Sequence, residues 1–313
     1  MIVLSGGTGT PKLLVGLKQV FGEAQLRVIV NTAEDMVVSG NLVCPDVDSV
    51  IYTLAGVIDK DRWWGIADDS FCTYTALKGL GHEERMMIGD RDRATHILRT
   101  ELLNRGMSLT EATAELATKF GITAEILPMT EDAVSTVIIT PAGKLHFQEF
   151  WIAHKGEPEV LDVQFEGIES AKPTEAVINA LMQERVVLIG PSNPITSIGP
   201  ILSLAGVRDL LKRKRVVAIS PIVGDKPVSG PAGKFMQAKG FEVSASGVYN
   251  CYKDFLDVLV IDKSDRCEIE AEAKAKAKGV EVLKTDIIIR NDEDSRQLGL
   301  FLLDYLRTDL TDL

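Results

Sequence analysis

The chain has 313 residues, 45% of them hydrophobic, and a formal net charge of −11 at pH 7. This length predicts a substantial buried core, arranged as one large domain with an insertion or as two modest domains. The acidic charge argues against a nucleic-acid partner, and the lack of any run near the ~20 apolar residues that span a bilayer argues against a membrane protein.

The cysteines and the opening residues indicate the compartment. Four scattered cysteines show neither a CxxC pair nor the Cys/His spacing of a zinc site. The opening strand carries no basic segment and no long apolar run of the kind that a signal peptide needs. We therefore expect a cytoplasmic protein with reduced thiols.

Short β-branched apolar runs alternate with helical patterns along most of the chain, which is typical of βαβ units. The predicted strands are residues 2–5, 26–31, 135–140, 144–149, 186–190, 216–220 and 258–262. The predicted helices between and after them are residues 11–21, 174–184, 207–214, 230–239 and 265–278. This alternation predicts an α/β fold with a doubly wound, mainly parallel sheet.

Helical periodicity dominates from residue 46 to residue 120, with predicted helices at 47–58, 70–80, 92–105 and 109–120. Ser108, with Glu111 three residues later, has the form of a capping box at the start of the last of these helices. We interpret residues 46–124 as a mainly helical insertion over the carboxyl edge of a core formed by residues 1–45 and 125–313. Residues 153–172 are irregular, and we expect a two-stranded excursion there.

The first loop, residues 5–12, has the sequence SGGTGTPK and directly follows the first strand. Its glycines leave backbone amides open to an anion, and Pro11 suits the first turn of the next helix. The loop lacks the Gly-Lys-Ser/Thr ending of a Walker A loop and the third glycine of the dinucleotide fingerprint. It either binds a phosphate or nucleotide or only makes a tight turn, and its place after the first strand favours binding.

Acidic residues follow the second strand and open the next helix. Asn31, Glu34 and Asp35 come at the carboxyl end of a strand, where doubly wound sheets bind ligands, but a helix cap explains either acid equally well. Asp46 and Asp48 stand two residues apart at a predicted helix start. Judged alone they favour helix capping, but carboxylates at this spacing can also hold Mg²⁺ or accept a proton from an attacking hydroxyl.

A charged run, GDRDRATH, covers residues 89–96. Surface ion pairing and capping explain most such runs, and we interpret His96 as an ordinary helix residue. A diphosphate or metal ion near Asp90 and Asp92 is the less favoured alternative.

Two further loops, residues 190–200 and 220–231, each follow an apolar strand and are rich in glycine and proline. The first of them offers hydrogen-bonding groups from Ser192, Asn193, Thr196 and Ser197, a composition suited to a fixed polar pocket. Because the carboxyl ends of parallel strands share one edge of the sheet, we expect these loops and the first loop to converge on a single site.

Taken together, these segments resemble the 2-phospho-lactate transferase family of deazaflavin coenzyme F(420) biosynthesis. The resemblance spans nearly the whole chain, in the order SGGTGTPK, NTAED, CPDVDSVIYTLAG, WWGIADDSF, GDRDRATHILRT, HFQEFW, GPSNPITSIGPIL and SPIVGDKPVSGPA. It implies a Rossmann-like core and a homodimer. A related branch of nucleotide-sugar-binding regulatory proteins shares the glycine-rich opening but not the PDVD and GDRD pair, and is the alternative.

The resemblance also implies an activity and a site. A phospholactyl group would pass from lactyl-2-diphospho-5′-guanosine to the terminal ribityl hydroxyl of the deazaflavin Fo, with release of GMP in the presence of Mg²⁺. Asp46 and Asp48 would be the catalytic residues and the metal ligands, and the loop amides would stabilise the departing GMP. The residues expected to bind substrate are Gly6, Gly7, Thr8, Gly9, Lys12, Asn31, Asp35, Arg85, Asp90, Arg91, Ser192, Asn193, Ser197, Gly199 and Ser220.

Overall fold

A computed structural model of the chain describes residues 1–265 and 279–311. The strands in these ranges are β1 (Ile2–Ser5), β2 (Arg27–Val30), β3 (Met36–Val38), β4 (Asn41–Val43), β5 (Glu125–Pro128), β6 (Ser135–Thr140), β7 (Gly143–His146), β8 (Asp162–Glu166), β9 (Val186–Ile189), β10 (Arg215–Ile219), β11 (Ile222–Val223), β12 (Lys226–Pro227), β13 (Val258–Asp262) and β14 (Glu281–Thr285). The helices are α1 (Gly9–Leu17), α2 (Pro45–Ala55), α3 (Cys72–Gly79), α4 (Asp90–Asn104), α5 (Leu109–Lys119), α6 (Glu175–Gln183), α7 (Gly199–Ser203), α8 (Val207–Leu211), α9 (Ala232–Ala238), α10 (Ala245–Tyr252) and α11 (Asp292–Thr311).

Seven of the strands form one parallel sheet, in the order β14-β13-β10-β9-β1-β2-β5. The central strands β1 and β9 are buried along their whole length, which explains why they read as unbroken apolar runs. The order in which strands are added to the sheet reverses between β1 and β9. The strands β2 and β5 extend the sheet on one side, and β10, β13 and β14 extend it on the other. Such a reversal opens a crevice at the carboxyl ends of the strands.

Helices cover both faces of the sheet. The core on one face joins apolar side chains of α1, α2, α5 and α11 to those of the sheet. The core on the other face joins side chains of α6, α8, α9 and α10 with those of β6 and β8. The predicted α/β fold with a parallel sheet is therefore confirmed. In the described part of the chain, no helix combines the length and the apolar character needed to cross a membrane.

Smaller sheets flank the large one. β6 pairs antiparallel with β7 and β8, and two hairpins are formed by β3 with β4 and by β11 with β12. The three-stranded sheet places the helical segment that follows β7, including Glu149–Ala153, against α9 through ring contacts of Phe150 with Phe235 at 5.6 Å. These additions stand at the edge of the sheet where the loops lie.

Local signals account for several helix ends. Pro45 occupies the first turn of α2, and Gly56 ends this helix with a φ of 73°, a left-handed conformation that glycine adopts without strain. The capping box predicted for α5 is confirmed, because the Ser108 amide donates to the Glu111 carboxylate at 2.8 Å and the Glu111 amide donates to the Ser108 hydroxyl at 3.2 Å.

The structure corrects three predicted segments. The predicted strand 144–149 ends at His146, and the chain is helical from Phe147 onward. The predicted two-stranded excursion at 153–172 is wrong, because that stretch contributes the single strand β8, which completes a sheet begun by β6. The predicted strand 135–140 is β6, which lies in this small sheet and not in the parallel one.

Sequence reasoning missed both edge strands of the large sheet, β5 and β14, and also missed α10 and α11. The edge strands carry exposed polar residues and therefore lack the unbroken apolar run of a central strand. The predicted helix 265–278 lies, beyond Asp265, outside the described residues. Within residues 46–124, α2 and α5 pack against β2 and β5. The division of the chain into a core and an insertion stays a prediction.

Candidate functional site

A cavity of about 420 Å³ lies at the carboxyl ends of β1, β2, β9 and β10. All three glycine- and proline-rich loops contribute to its wall. Among the residues predicted from the sequence, those that line it are Gly7, Thr8, Gly9, Asp46, Asp48, Ser192, Asn193 and Ser197. The loops after distant strands thus meet two acids at the start of α2.

The first loop and the loop after β9 are joined by buried hydrogen bonds. The Ser192 hydroxyl donates to the Gly6 carbonyl at 2.5 Å, accepts from the Thr10 amide at 3.0 Å and lies 2.7 Å from the Thr10 hydroxyl. A Cβ on Gly9 would stand 2.0 Å from the Pro191 carbonyl oxygen, so the close approach of the two loops requires glycine there. The two loops form one rigid polar floor.

Asp46 is buried against this floor. Its Oδ1 accepts from the Gly7 amide at 2.8 Å and its Oδ2 accepts from Asn31 Nδ2 at 2.8 Å. Burial raises the pKa of Asp46 to about 6, although both hydrogen bonds act to lower it. Asp46 therefore presents a carboxylate whose described partners are neutral N–H groups.

Asp48, two residues later on α2, stands in a different environment, against side chains of α4. Arg99 donates to both of its carboxylate oxygens, and His96 Nε2 lies 3.2 Å from its Oδ2. Burial alone would raise the pKa of Asp48, but the Arg99 charge and the His96 hydrogen bond outweigh burial and lower it to about 2. The Asp48 carboxylate is therefore negatively charged, and Arg99 and His96 balance its charge.

His96 connects Asp48 to a second buried acid. Its Nε2 lies 3.1 Å from Asp92 Oδ1, which also accepts from the Tyr52 hydroxyl at 2.7 Å. Burial would lower the pKa of His96, but hydrogen bonds and charges from the two acids raise it to about 9. The ligand atoms of Asp48, Asp92 and His96 lie within 4.8 Å of one another, so these three residues could hold a metal ion.

Three aromatic side chains also line the cavity, and we call them the aromatic wall. They are Trp64, Phe147 and Trp151, and the two tryptophans are about two-fifths exposed, at 39% and 42%. Glu34 also lines the cavity, and Gln148 Nε2 donates to its Oε2 at 3.3 Å. A polar floor and an aromatic wall in one cavity suit a ligand with a charged end and a planar end.

Comparison with known proteins decides the family. The sequence profile of the family described as 2-phospho-L-lactate transferase CofD matches residues 1–300. The chain belongs to this family. The family resemblance inferred from the sequence is thus confirmed.

Curated members of the 2-phospho-L-lactate transferase family align over nearly their full length. The one from Methanococcoides burtonii is 53% identical over 299 residues, which cover 96% of this chain and 97% of the relative. The one from Methanocaldococcus jannaschii is 49% identical, with 97% of each chain covered. A crystal structure of an UPF0052 family member from Bacillus halodurans has a TM-score of 0.64 at 17% identity, covers 96% of this chain and 98% of its own, and shares the fold.

Some predicted site residues of this family member support the cavity without lining it. Asn31 holds Asp46, and a Cβ on Gly6 would meet Asp46 Oδ2 at 2.9 Å. Asp35 lies beside the Cys44 thiol, and burial raises the pKa of Asp35 well above its ordinary value. Ser220 donates to the Ile222 carbonyl within its own loop.

Other predicted residues lie away from the cavity. Asp90 caps α3, because it accepts from the Ser70 hydroxyl at 2.6 Å and from the Cys72 and Thr73 amides at 2.9 Å. Arg91 donates to the Ala67 carbonyl at 3.1 Å. The remaining three behave similarly: Lys12 lies over the Trp63 ring, Arg85 is exposed and 3.7 Å from Glu149, and Gly199 opens α7.

Sequence reasoning missed the network around Asp48. His96 is not an ordinary helix residue, since it lines the cavity between two buried acids. The spacing of Asp92 and His96, four residues apart on one helix face, was the available signal. Arg99 and Gln148 gave no such signal in the sequence, because their partners Asp48 and Glu34 are 51 and 114 residues away in the chain.

Proposed function

We propose that this chain transfers a 2-phospholactyl group from lactyl-2-diphospho-5′-guanosine to the terminal ribityl hydroxyl of the deazaflavin Fo, releasing GMP and forming coenzyme F(420)-0. Membership of the family and the relatives named 2-phospho-L-lactate transferase favour this enzyme over a nucleotide-sugar-binding regulatory protein. The observation that carries the proposal is the position of Asp46, whose buried carboxylate lies where the loop amides, the cavity and α2 meet.

The polar floor suits the guanosine diphosphate end of the donor. The backbone amides of Thr8 and Gly9 follow a strand and stand at the start of α1, an arrangement that favours anions, while the Gly7 amide donates to Asp46. A Cβ on Gly7 would meet the Ser197 hydroxyl at 2.9 Å, so the two loops present polar groups side by side. Asn193 Oδ1 accepts from the Ile195 amide at 2.9 Å, which fixes the shape of the second loop.

The charge of the cavity supports a divalent cation as cofactor. Besides Glu34, three acids line it, Asp46, Asp48 and Asp92, and His96 is the one basic side chain among its described lining residues. A donor diphosphate would add further negative charge, which loop amides alone compensate poorly. We therefore propose Mg²⁺, a hard cation that prefers oxygen ligands and substrate phosphates.

Asp46 and Asp48 are the proposed metal ligands, and their surroundings differ. The carboxylate of Asp46 contacts neutral N–H groups, so its charge is available to a cation. The charge of Asp48 is already opposed by Arg99 and by His96, and an imidazole is a poor ligand for Mg²⁺. Asp46 therefore fits this ion better, and Asp48 would mainly position the acceptor. Bound Mg²⁺ would neutralise charge on the diphosphate during transfer.

The reaction requires alignment more than a strong base. The acceptor hydroxyl oxygen forms a bond to the phosphorus that carries lactate, and the bond from this phosphorus to the GMP oxygen breaks. The hydroxyl proton passes to water. Amides of the first loop stabilise charge that develops on the departing GMP. The aromatic wall, with Trp64 and Trp151, holds the planar ring of Fo and keeps the hydroxyl aimed at the floor.

We also propose that the enzyme is a cytoplasmic homodimer. Each residue of α3 keeps some solvent exposure, and Leu80 directly after it is 84% exposed. Contact with a second copy would cover the exposed Leu80 side chain. Sedimentation of the wild type and of Leu80→Asp would test it, since a monomeric wild type contradicts the proposal.

The decisive experiment measures the complete reaction. Purified protein, Fo, lactyl-2-diphospho-5′-guanosine and Mg²⁺ should release GMP and yield a phosphodiester product of the expected mass. Omission of Fo or addition of a chelator should abolish GMP release. Folded protein that releases no GMP under the complete conditions would overturn the proposal.

A further inference from the structure

Glu34 is a buried acid of the cavity to which no role has been given so far. Its side chain follows β2, is 4% exposed and lines the cavity. Its Oε2 accepts from Gln148, whereas its Oε1 is buried and has no hydrogen-bond partner within the described residues. An unpaired buried oxygen is costly, so a polar group of a ligand would stabilise it.

The place of Glu34 in the cavity limits what this ligand group can be. On one side Glu34 directly follows Ala33, whose amide donates to Asn31 Oδ1 at 3.0 Å, and Asn31 Nδ2 donates to Asp46 at 2.8 Å. On the other side its partner Gln148 directly follows Phe147 of the aromatic wall. Glu34 thus lies between Gln148 and the Ala33–Asn31–Asp46 chain of hydrogen bonds, where a ligand that contacts both Phe147 and Asp46 would also meet it.

This inference rests on the proposed function, in which the acceptor carries a planar ring and a chain of hydroxyl groups. We infer that Glu34 binds a hydroxyl group within the polyol chain of the acceptor, and that Gln148 positions the Glu34 carboxyl for this contact. The ring would then lie against Trp151, the terminal hydroxyl near Asp46, and the intervening hydroxyls against Glu34.

The state of the carboxyl agrees with this role. Burial, and then the nearby charges of Asp46 and Asp35, raise the pKa of Glu34 well above its ordinary value. An uncharged carboxyl both donates and accepts hydrogen bonds, as a hydroxyl partner requires. A glutamine side chain also donates and accepts hydrogen bonds and has nearly the same shape as an uncharged glutamic acid. A methionine side chain has a similar length but no hydrogen-bond donor and only a weak acceptor.

Binding of Fo, measured through its fluorescence in the absence of donor and metal, tests the inference. Glu34→Met should raise the dissociation constant of Fo roughly threefold to tenfold, the effect of one lost hydrogen bond. Glu34→Gln should stay within about twofold of the wild type. A deazaflavin that carries a methyl group in place of the polyol chain should bind the wild type and Glu34→Met equally.

Thr136→Val is the matched control. The Thr136 hydroxyl is also buried and unpaired, and its amide donates to the Ala33 carbonyl beside Glu34, but the residue does not line the cavity. This variant should bind Fo like the wild type, and all variants should melt cooperatively. Unchanged Fo binding by Glu34→Met, or equal losses in the Gln and Met variants, would overturn the inference and leave the transferase proposal intact. A wild type that binds neither deazaflavin would overturn both.

Discussion

Arg99 donates to both carboxylate oxygens of Asp48, and both side chains are buried. Removal of one partner from such a pair leaves an uncompensated charge inside the protein. Asp48→Asn should therefore lower the free energy of unfolding by about 3 kcal/mol or more and the melting temperature by about 5 °C or more. Thermal unfolding followed by circular dichroism measures this change.

A surface pair provides the control for that prediction. Glu166 lies 2.9 Å from Lys144, with side chains that are 53% and 62% exposed. Glu166→Gln should change the free energy of unfolding by less than about 1 kcal/mol. Equal melting temperatures for Asp48→Asn and the wild type would show that the buried pair does not stabilise the fold.

The same substitution at Asp46 should reduce turnover strongly and stability less than Asp48→Asn does. Its carboxylate contacts only N–H donors of Gly7 and Asn31 among the described residues, so Asp46→Asn keeps the shape and leaves no buried cation behind. We expect turnover to fall by roughly 10²-fold or more, with a smaller loss of melting temperature than in Asp48→Asn. Steady-state GMP release at saturating Mg²⁺ measures the turnover. Near-normal turnover would return Asp46 to a capping role at the start of α2.

The pKa of Asp46 predicts the pH dependence of activity. Its carboxylate is charged above pH about 6 and protonated below it. At low Mg²⁺, kcat/KM should therefore fall as the pH drops through 6, by about tenfold per unit at the lower end. Because a proton and Mg²⁺ compete for one carboxylate, more Mg²⁺ should move this fall to lower pH. A fall that is independent of Mg²⁺ would exclude Asp46 as the metal ligand.

His96 predicts the pH dependence of stability. Its pKa is raised to about 9 in the folded chain from an ordinary 6.5, so its contribution is complete below pH 6.5 and is lost as the pH rises through 9. The wild type should lose more unfolding free energy between pH 6.5 and 9.5 than His96→Gln. Denaturant unfolding of both proteins across this range measures the difference. Parallel pH profiles would mean that His96 is uncharged in the folded protein.

A substitution at Gly9 tests how nucleotide binding depends on the close approach of the two loops. A Cβ there would stand 2.0 Å from the Pro191 carbonyl oxygen, which only a displaced loop can relieve. Gly9→Ala should weaken binding of guanosine diphosphate by about tenfold or more. A Cβ on Gly79 would meet nothing within 4 Å, so Gly79→Ala is the matched control and should bind normally. Calorimetric titration that finds equal affinities in both variants would remove the first loop from the nucleotide site.

Prediction from the sequence was accurate where one segment contains the whole signal. The limits of β1 and β13 were predicted without error, because a short apolar run ends at a polar loop or turn. The edge strand β5 was missed, since it contains a proline and an exposed Glu125 and becomes a strand only by pairing with β2. Tertiary pairing, not local propensity, determines such a strand.

The candidate site shows the same difference between local and long-range signals. The glycine-rich loops that line the cavity are short motifs after strands, whereas the role expected for Asp46 came from the family resemblance, because its spacing alone favours helix capping. The Asp48 network was not predicted, because Arg99 comes from a helix whose local sequence looks like an exposed charged surface. Only packing of α4 on α2 turns that surface into a buried ion pair.

The bonds between Ser192 and Thr10 join residues 182 positions apart in the chain. During synthesis at about 5–20 residues per second, the ribosome adds the second partner roughly 10 to 40 s after the first. For that interval the glycine-rich opening can contact β2 and Asp46 but lacks the loop after β9, so the polar floor is incomplete. Under the proposed function, a guanosine nucleotide would therefore bind only after the chain has passed β9 and closed the central pair of strands.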